Sequence, residues 1–267
     1  MFVVKVIVLI NSDVPMEIQE LKDDPEIGAI LWTGLPGMNG FLGVCDVLSG
    51  DVNPSGHISD TYATSSVSAP AMTNFGLYTY TNASNAESGA ELTEADKGDW
   101  YVVETEGIYI GYKYYETRYE DTVLDQGNAT TTEGSSTGKA WNYVDEVTYP
   151  FGYGLSYTEF SLDNVKLSTQ KVTPDGVEVT ADVTNIGQMD GTQTVLVYVK
   201  AEREGTPNPQ LKGIAKAALK KGETKTVHIT LPEEAFGLCD DDGVKRVHQG
   251  SYTIYIGEKA AGTVVKD

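Results

Sequence analysis

An alternation of apolar and polar residues in the second half of the chain constrains its fold more than any other feature. Between positions 177 and 184, apolar residues occupy every second position, and they are Val177, Val179, Ala181 and Val183. A period of two is typical of a β-strand with one buried face. Similar short segments follow at 195–199, 211–219, 224–231 and 251–256. Six or seven short strands in roughly a hundred residues predict an antiparallel β-sandwich over residues 159–267.

The N-terminal residues 1–64 carry a different pattern. Residues 3–10 and 27–33 are apolar on both faces, as in buried strands of a parallel sheet. A short helix is predicted from Pro15, and a second helix from Gly40 to Leu48, capped by Asn39 and stopped by Gly50. The expected buried face of this second helix consists of Phe41, Val44, Cys45 and Leu48. Strand, helix, strand and helix in this order predict an α/β layer.

This α/β unit is too small to fold alone, because two strands and two helices leave sheet edges and helix faces uncovered. We therefore expect residues 1–64 to be part of a larger α/β sandwich domain. Either this domain starts before the segment, or a partner chain completes it. Self-association into a homo-oligomer would also cover the apolar faces.

Residues 65–158 are interpreted as a long aromatic-rich connection between the two predicted domains. The segment 149–160 covers the end of this connection and the first residues of the sandwich. It holds five aromatic residues, two glycines and one proline. This mixture suits neither a helix nor a regular strand, since glycine permits turns and proline removes a donor. We predict that residues 149–160 form a buried clasp where the two domains meet.

Composition excludes several classes of function. The net charge of −20 argues against nucleic-acid binding, which needs a cationic surface. Two cysteines and three histidines show no metal-ligand spacing, so neither a metal site nor a cofactor is predicted. The longest apolar run is too short for a membrane span. The compartment stays open between the cytoplasm and secretion.

Several segments, taken in order, resemble glycoside hydrolase family 3 of the β-glucosidase type. The four in the first part of the chain are 29–40, 46–56, 106–115 and 149–158. Residues 211–213 and 250–257 are similar to the fibronectin type III-like domain that accompanies this family. The resemblance covers nearly the whole chain. It implies a fold class of α/β plus all-β, in which a partial α/β sandwich with a parallel sheet precedes an immunoglobulin-like (fibronectin type III-like) antiparallel β-sandwich.

The resemblance also implies an activity, retaining hydrolysis of O-glycosyl bonds by two carboxyl groups about 5–5.5 Å apart. In the family, the nucleophile is an Asp on a (β/α)₈ barrel and the acid/base is usually a Glu in the first half of the α/β sandwich. Neither segment is found here. We therefore expect a non-barrel portion of a β-glucosidase-like enzyme that is inactive alone, with the missing barrel as its partner and a carbohydrate as substrate of the parent enzyme.

The sequence leaves some alternatives open. The residues after Gly56 resemble the subgroup in which the barrel follows these domains, whereas in other members it precedes them. Whether the barrel lies before or after this segment therefore stays open. The chain would otherwise be one half of a split enzyme, or a carbohydrate- or protein-binding module. Glu106, next to Glu104, is the candidate catalytic carboxylate, and its alternative is a solvent-facing strand position. Tyr109 and Tyr112 are candidates for substrate binding, because aromatic rings stack on sugars, and the alternative is a packing surface.

Overall fold

The computed structural model describes residues 6–74, 105–207, 209–240 and 242–267. Its N-terminal unit contains the strands β1 (Val6–Ile10) and β2 (Ile27–Trp32) and the helices α1 (Gln19–Asp23) and α2 (Gly40–Ser49). The two strands pair in parallel, with Leu9 opposite Leu31, as the sequence predicted. Gly50 ends α2 in the left-handed conformation, at a φ of 85°.

Two details of the predicted helices are wrong. The first helix begins at Gln19 and not at Pro15, and its N-terminal flank Ile18 is one of the buried residues of this unit. The side chain of Asn39 makes no capping hydrogen bond to α2, because its backbone is already in the right-handed helical region.

The segment predicted as a connection contains regular structure of its own. Two 3₁₀ turns (Ser66–Ser68 and Pro70–Asn74) follow the short strand β3 (Tyr62–Ala63), and later come α3 (Tyr112–Leu124), α4 (Tyr143–Glu146) and β4 (Val147–Tyr149). β4 returns to pair antiparallel with β3, so Tyr62 lies opposite Tyr149. The end of this segment is therefore joined to the chain that leaves the α/β unit.

The C-terminal part is a sandwich of two antiparallel sheets, as predicted. Its strands are β5 (Phe160–Leu167), β6 (Val177–Asn185), β7 (Gly191–Ala201), β8 (Gln210–Leu219), β9 (Thr224–Leu231), β12 (Gly250–Ile256) and β13 (Lys259–Lys266). One sheet has three strands in the order β5-β6-β9, and the other has four in the order β13-β12-β7-β8. A small hairpin of β10 (Leu238–Cys239) and β11 (Lys245–Arg246) lies beside them.

The buried core is distributed unevenly between the two domains. The apolar positions of β6 alternate with polar ones, and Val177, Val179, Ala181 and Val183 are fully buried between the sheets. The α/β unit, in contrast, has a small cluster of buried side chains around Ile10, Ile18 and Tyr62. Most of the hydrophobic stabilisation in the described chain therefore comes from the sandwich.

The predicted burial of α2 is wrong for the described chain. No residue of this helix is buried, and Phe41, Cys45 and Leu48, three of the four residues on the expected face, are exposed. The apolar periodicity did locate the helix correctly, but the described chain supplies no layer that covers it. Among the described residues, no helix has the length and apolarity needed to cross a membrane.

Candidate functional site

Residues 149–160, the clasp, connect the α/β unit to the sandwich. Backbone hydrogen bonds join Ile58 to the clasp in both directions, from Ile58 N to Tyr153 O and from Gly152 N to Ile58 O, each at 2.9 Å. The ring of His57 adds a bond from Nδ1 to Gly152 O at 2.5 Å. The turn at residues 150–153 of the clasp is thus held against residues 57 and 58.

Asn53 is the side chain that links three segments at this junction. Its Oδ1 accepts hydrogen bonds from Ser156 Oγ and from Tyr157 N, both at 2.8 Å. Its Nδ2 donates to Asp190 O, just before β7, at 3.2 Å. The hydroxyl of Tyr157 donates to Val47 O of α2 at 2.9 Å. One amide therefore ties the turn after α2 both to the clasp and to the sandwich.

Two clasp glycines permit backbone approaches that no other residue would allow. A Cβ at Gly154 would lie 2.4 Å from Gly56 O, a backbone atom. Gly152 has a φ of 79°, and a Cβ there would lie 2.8 Å from the hydroxyl of Tyr198 in β7. The glycines of the predicted clasp are thus explained by close contact on both sides.

Tyr112, a predicted substrate-binding residue, lies in the contact between α3, the clasp and the sandwich. Its ring stacks on Phe151 with the centroids 4.0 Å apart, and its hydroxyl accepts a hydrogen bond from Leu211 N at 3.0 Å. Burial raises the pKa of Tyr112, and burial together with the nearby Tyr112 and Glu116 raises the pKa of Tyr198 to about 12. Both phenols therefore stay protonated at neutral pH.

The other two predicted site residues share one turn ahead of α3. The N–H of Tyr109 donates to Glu106 O at 2.9 Å. Glu106 lies in this turn and not on a strand, and its Oε2 is buried without a hydrogen-bond partner among the described residues. Tyr109 is half-buried, and burial raises its pKa. Glu104 lies outside the described residues.

A second cluster, which the sequence analysis missed, packs the loop 125–142 onto α3. The guanidinium of Arg118 lies 4.8 Å from the ring centroid of Trp141, and Arg118 Nε donates to Ala129 O at 3.1 Å. Trp141 is 2% exposed. Aromatic enrichment was visible in the sequence here, but no local pattern pairs an arginine with a tryptophan 23 positions later.

Two further carboxylates are enclosed near this cluster. Glu146 is fully buried, and its Oε1 accepts hydrogen bonds from Ser136 N at 2.9 Å and Ser135 Oγ at 3.1 Å. Glu116 Oε1 accepts a hydrogen bond from the hydroxyl of Tyr143 at 2.6 Å. Burial raises the pKa of Glu116, and the bond from Tyr143 opposes that rise. Within the described ranges, no group of three or more His, Cys, Asp or Glu residues could hold a metal ion.

The raised pKa of Glu116 predicts a dependence of stability on pH. The folded chain binds the Glu116 proton more tightly than the unfolded chain, so the charged carboxylate destabilises the fold once the pH exceeds the unfolded pKa. Replacing Glu116 with glutamine keeps an acceptor for Tyr143 and removes this charge. We expect the free energy of unfolding of Glu116→Gln, relative to the wild type, to increase as the pH rises from about 4.5 towards 8.

Urea unfolding at a series of pH values would measure this difference. The matched control is Glu133→Gln, which removes the same charge at an exposed position of the neighbouring loop. A difference between wild type and Glu116→Gln that stays flat over this range, or that Glu133→Gln reproduces, would contradict the assignment.

Family models match both parts of the chain. Residues 3–157 match the glycosyl hydrolase family 3 C-terminal domain, and residues 193–260 match the fibronectin type III-like domain. The first match extends across the α/β unit, α3 and most of the clasp. These matches confirm the predicted family and the fold class of an α/β sandwich portion followed by a fibronectin type III-like β-sandwich.

Individual relatives agree with the family models. Beta-glucosidase B of Emericella nidulans is 32% identical over 236 residues, which is 87% of this chain and 24% of the relative. Beta-glucosidase A of Butyrivibrio fibrisolvens is 30% identical over 282 residues, which is 98% of this chain and 29% of the relative. The chain thus spans less than a third of the length of these relatives.

Solved structures show the same relation. The structure of beta-glucosidase 3B from Thermotoga neapolitana in complex with alpha-D-glucose has a TM-score of 0.71 and 27% identity, and the match covers 98% of this chain and 31% of that one. Since one family model alone covers more than half of the 267 residues, this chain belongs to glycosyl hydrolase family 3, of which it carries a C-terminal domain and a fibronectin type III-like domain.

Proposed function

We propose that this chain serves hydrolysis of O-glycosyl bonds as the non-barrel portion of a β-glucosidase-like enzyme, docked on a barrel-bearing portion and inactive without it. The observation that carries this proposal is the uncovered apolar surface of the α/β unit, here called the open face. It consists of Ile7 and Leu9 on the outer side of β1, and of Met38, Phe41 and Leu42 at and just before the start of α2, which are 40–99% exposed. Apolar patches of this kind mark interaction sites.

The sheet of the α/β unit is also incomplete. β1 and β2 form a two-stranded sheet in the described chain, so each of them has an unpaired edge there. Parallel sheets are normally covered on both faces and contain more strands. The relatives are three to four times longer than the matched region, since 24–29% of their length is covered. Their remaining length is the material that would complete this layer.

The carboxylates of the described chain support inactivity in isolation. Glu116 is bonded to Tyr143, and Glu146 is bonded to residues 135 and 136, so both hold the fold of the aromatic segment. Glu106 is the candidate that the sequence indicated, and its buried Oε2 has no hydrogen-bond partner among the described residues. Turnover of an aryl β-glucoside by the purified chain, abolished by Glu106→Gln, would overturn this part of the proposal.

Docking through the open face can be tested directly. The chain is mixed with a polypeptide that contains the barrel and the first half of the α/β sandwich of a family member. We expect a complex in which the amides of β1 and β2 gain protection from hydrogen exchange. Leu42→Asp, on the open face and 69% exposed, should weaken the complex at least about tenfold, because it places a charge in an apolar interface.

The matched control is Val123→Asp, since Val123 is 65% exposed on α3, away from the open face. Absence of any complex, or equal weakening by the two variants, would show that the open face is not the docking surface. Formation of stable homodimers that Leu42→Asp disrupts would instead identify a second copy of the chain as the occupant.

The alternative function is a carbohydrate-binding module, and it rests on the predicted contact of Tyr109 with sugar, because the ring of Tyr112 is already stacked on Phe151. Tyr109 is half-buried and follows the turn that holds Glu106, whose buried Oε2 has no hydrogen-bond partner among the described residues, and a saccharide hydroxyl group would supply one. Titration with oligosaccharides, followed by tryptophan fluorescence, tests it. Saturable binding that Tyr109→Ala removes and Tyr119→Ala preserves would establish this second function for the chain.

A further inference from the structure

An open groove of about 410 Å³ lies on the sandwich, and none of its lining residues belongs to the open face. Its walls come from β8, from the 3₁₀ turn Glu233–Phe236 and from β11. The lining residues that matter here are Leu211, Lys212, Ile214, Pro232, Glu234 and Lys245. The volume falls within the range of roughly 300–1,000 Å³ that small-molecule sites occupy.

Positive charge is concentrated at this groove. Lys212 and Lys245 line it, and Lys113 at the start of α3 lies near enough to affect the titration of Lys212. Glu234 is the one acidic side chain among the described lining residues. The whole chain has a net charge of −20, so a cluster of three lysines makes this part of the surface positive where the chain as a whole is negative.

Ion pairing alone does not set these three lysines apart, but their position together at one groove does. Lys171, Lys200, Lys225, Lys259 and Lys266 of the sandwich each lie within 4.0 Å of a carboxylate, whereas Lys216 and Lys220 have no ion pair among the described residues. Within the described part of the chain, Lys113, Lys212 and Lys245 form no such pair. Their mutual repulsion is therefore not relieved by the described protein itself.

Both lining lysines are held in place by the fold. Lys212 is half-buried on β8, and its Nζ donates to the neutral Gln210 Oε1 at 3.1 Å. The stem of Lys245 packs against Gly237, where a Cβ would lie 2.9 Å from Lys245 Cγ and Cε. Burial, and then the charges of Lys245 and Lys113, lower the pKa of Lys212 to about 8. The charged Lys212 ammonium group at the groove is therefore destabilised by burial and by the neighbouring lysines, and a bound anion would offset this free-energy cost.

We propose that this groove binds a small organic anion, namely a carboxylate or phosphate group carried on a compact body such as an acidic sugar. The anionic group would lie between Lys212 and Lys245, where charge-assisted hydrogen bonds replace the missing ion pairs. The apolar walls from Leu211, Ile214 and Pro232 would contact the body of the ligand. This site is separate from the proposed role in glycoside hydrolysis and does not depend on it.

Calorimetric titration of the full chain at neutral pH tests the proposal with four probes. Glucuronate carries a carboxylate, glucose 6-phosphate carries a phosphate, inorganic phosphate has the charge without the body, and glucose has the body without the charge. We expect the two acidic sugars to bind more tightly than inorganic phosphate, and glucose not to bind. The ratio of the affinities for the two acidic sugars decides between a carboxylate and a phosphate.

Two variants place the binding in the groove. Lys212→Met should weaken the anions at least about tenfold, since it removes the central charge and keeps an apolar stem. The matched control is Lys216→Met on the same strand, where the lysine is exposed outside the groove, and we expect unchanged affinity. If Lys212→Met fails to fold, Lys245→Met gives the same test from the opposite wall.

Three results would overturn the proposal. They are the absence of saturable binding of either acidic sugar up to about 10 mM, equal binding of glucose and the acidic sugars, and equal weakening by Lys212→Met and Lys216→Met. The last result would show that the anions respond to general surface charge.

Discussion

Replacing Gly154 with alanine is expected to destabilise the chain and to loosen the contact between its two domains. The new Cβ would lie 2.4 Å from Gly56 O and 3.1 Å from the ring of His57. The nearer contact is with backbone, which cannot rotate away as the end of a flexible side chain can. Overpacking of this kind costs about 1–3 kcal/mol or more. We expect a loss near 3 kcal/mol in the free energy of unfolding.

Gly56→Ala is the matched control, because it changes the residue on the other side of the same contact. A Cβ at Gly56 meets nothing within 4 Å, and its backbone is not in the left-handed region. A glycine-to-alanine change at such a position stabilises a protein by about 0.4–1 kcal/mol, because it lowers the conformational entropy of the unfolded chain. Urea unfolding should therefore show shifts of opposite sign for the two variants. Shifts of equal sign and size would show that the close approach is relieved by a small backbone movement.

The sandwich was predictable from sequence because its signal is local. In β6, each apolar residue from Val177 to Val183 faces the core, and the alternation that revealed the strand is the same alternation that buries it. The bounds of β9, at Thr224–Leu231, are those that the sequence predicted. The position of the clasp was also predicted, because a mixture of aromatics, glycines and proline is itself unusual, but its predicted burial was wrong in part, since Tyr153, Leu155 and Tyr157 are exposed.

The contacts of the clasp were not predictable, because they join residues far apart in the chain. The bonds of Asn53 to Ser156 and Asp190 span more than a hundred positions and leave no periodic trace. α3 was missed for a related reason. It buries Tyr115 and Thr117 and packs largely through polar and aromatic side chains, so no apolar stripe marks it as a helix.

The error about α2 has a different origin. Its apolar periodicity was interpreted correctly as a face made for burial, yet the described chain leaves that face open. A pattern in sequence predicts which residues need a covering layer, and it does not say which polypeptide supplies that layer. The matched relatives of this chain are more than three times longer than the matched region. The proposed function therefore assigns the covering layer to a separate, barrel-bearing portion of the enzyme.

Phe236→Ala should produce the largest loss of stability of the changes considered. Phe236 is 1% exposed in the sandwich core and contacts the Tyr252 ring edge-to-face, with centroids 5.4 Å apart. Removal of a buried phenylalanine side chain leaves a cavity and costs about 3–5 kcal/mol. Phe236→Leu, which fills most of the same space, is the matched control and should cost clearly less.

The same variant tests whether the clasp couples the two domains. All three tryptophans precede residue 159, so tryptophan fluorescence reports on the part of the chain before the sandwich, while far-UV circular dichroism also follows the strands of the sandwich. If the α/β unit, with its small core, depends on the sandwich through the clasp, Phe236→Ala shifts both unfolding transitions together. Adding Gly154→Ala should then separate the two transitions, because it disrupts the contact that links them. A fluorescence transition that Phe236→Ala leaves unchanged would show that the α/β unit unfolds independently of the sandwich.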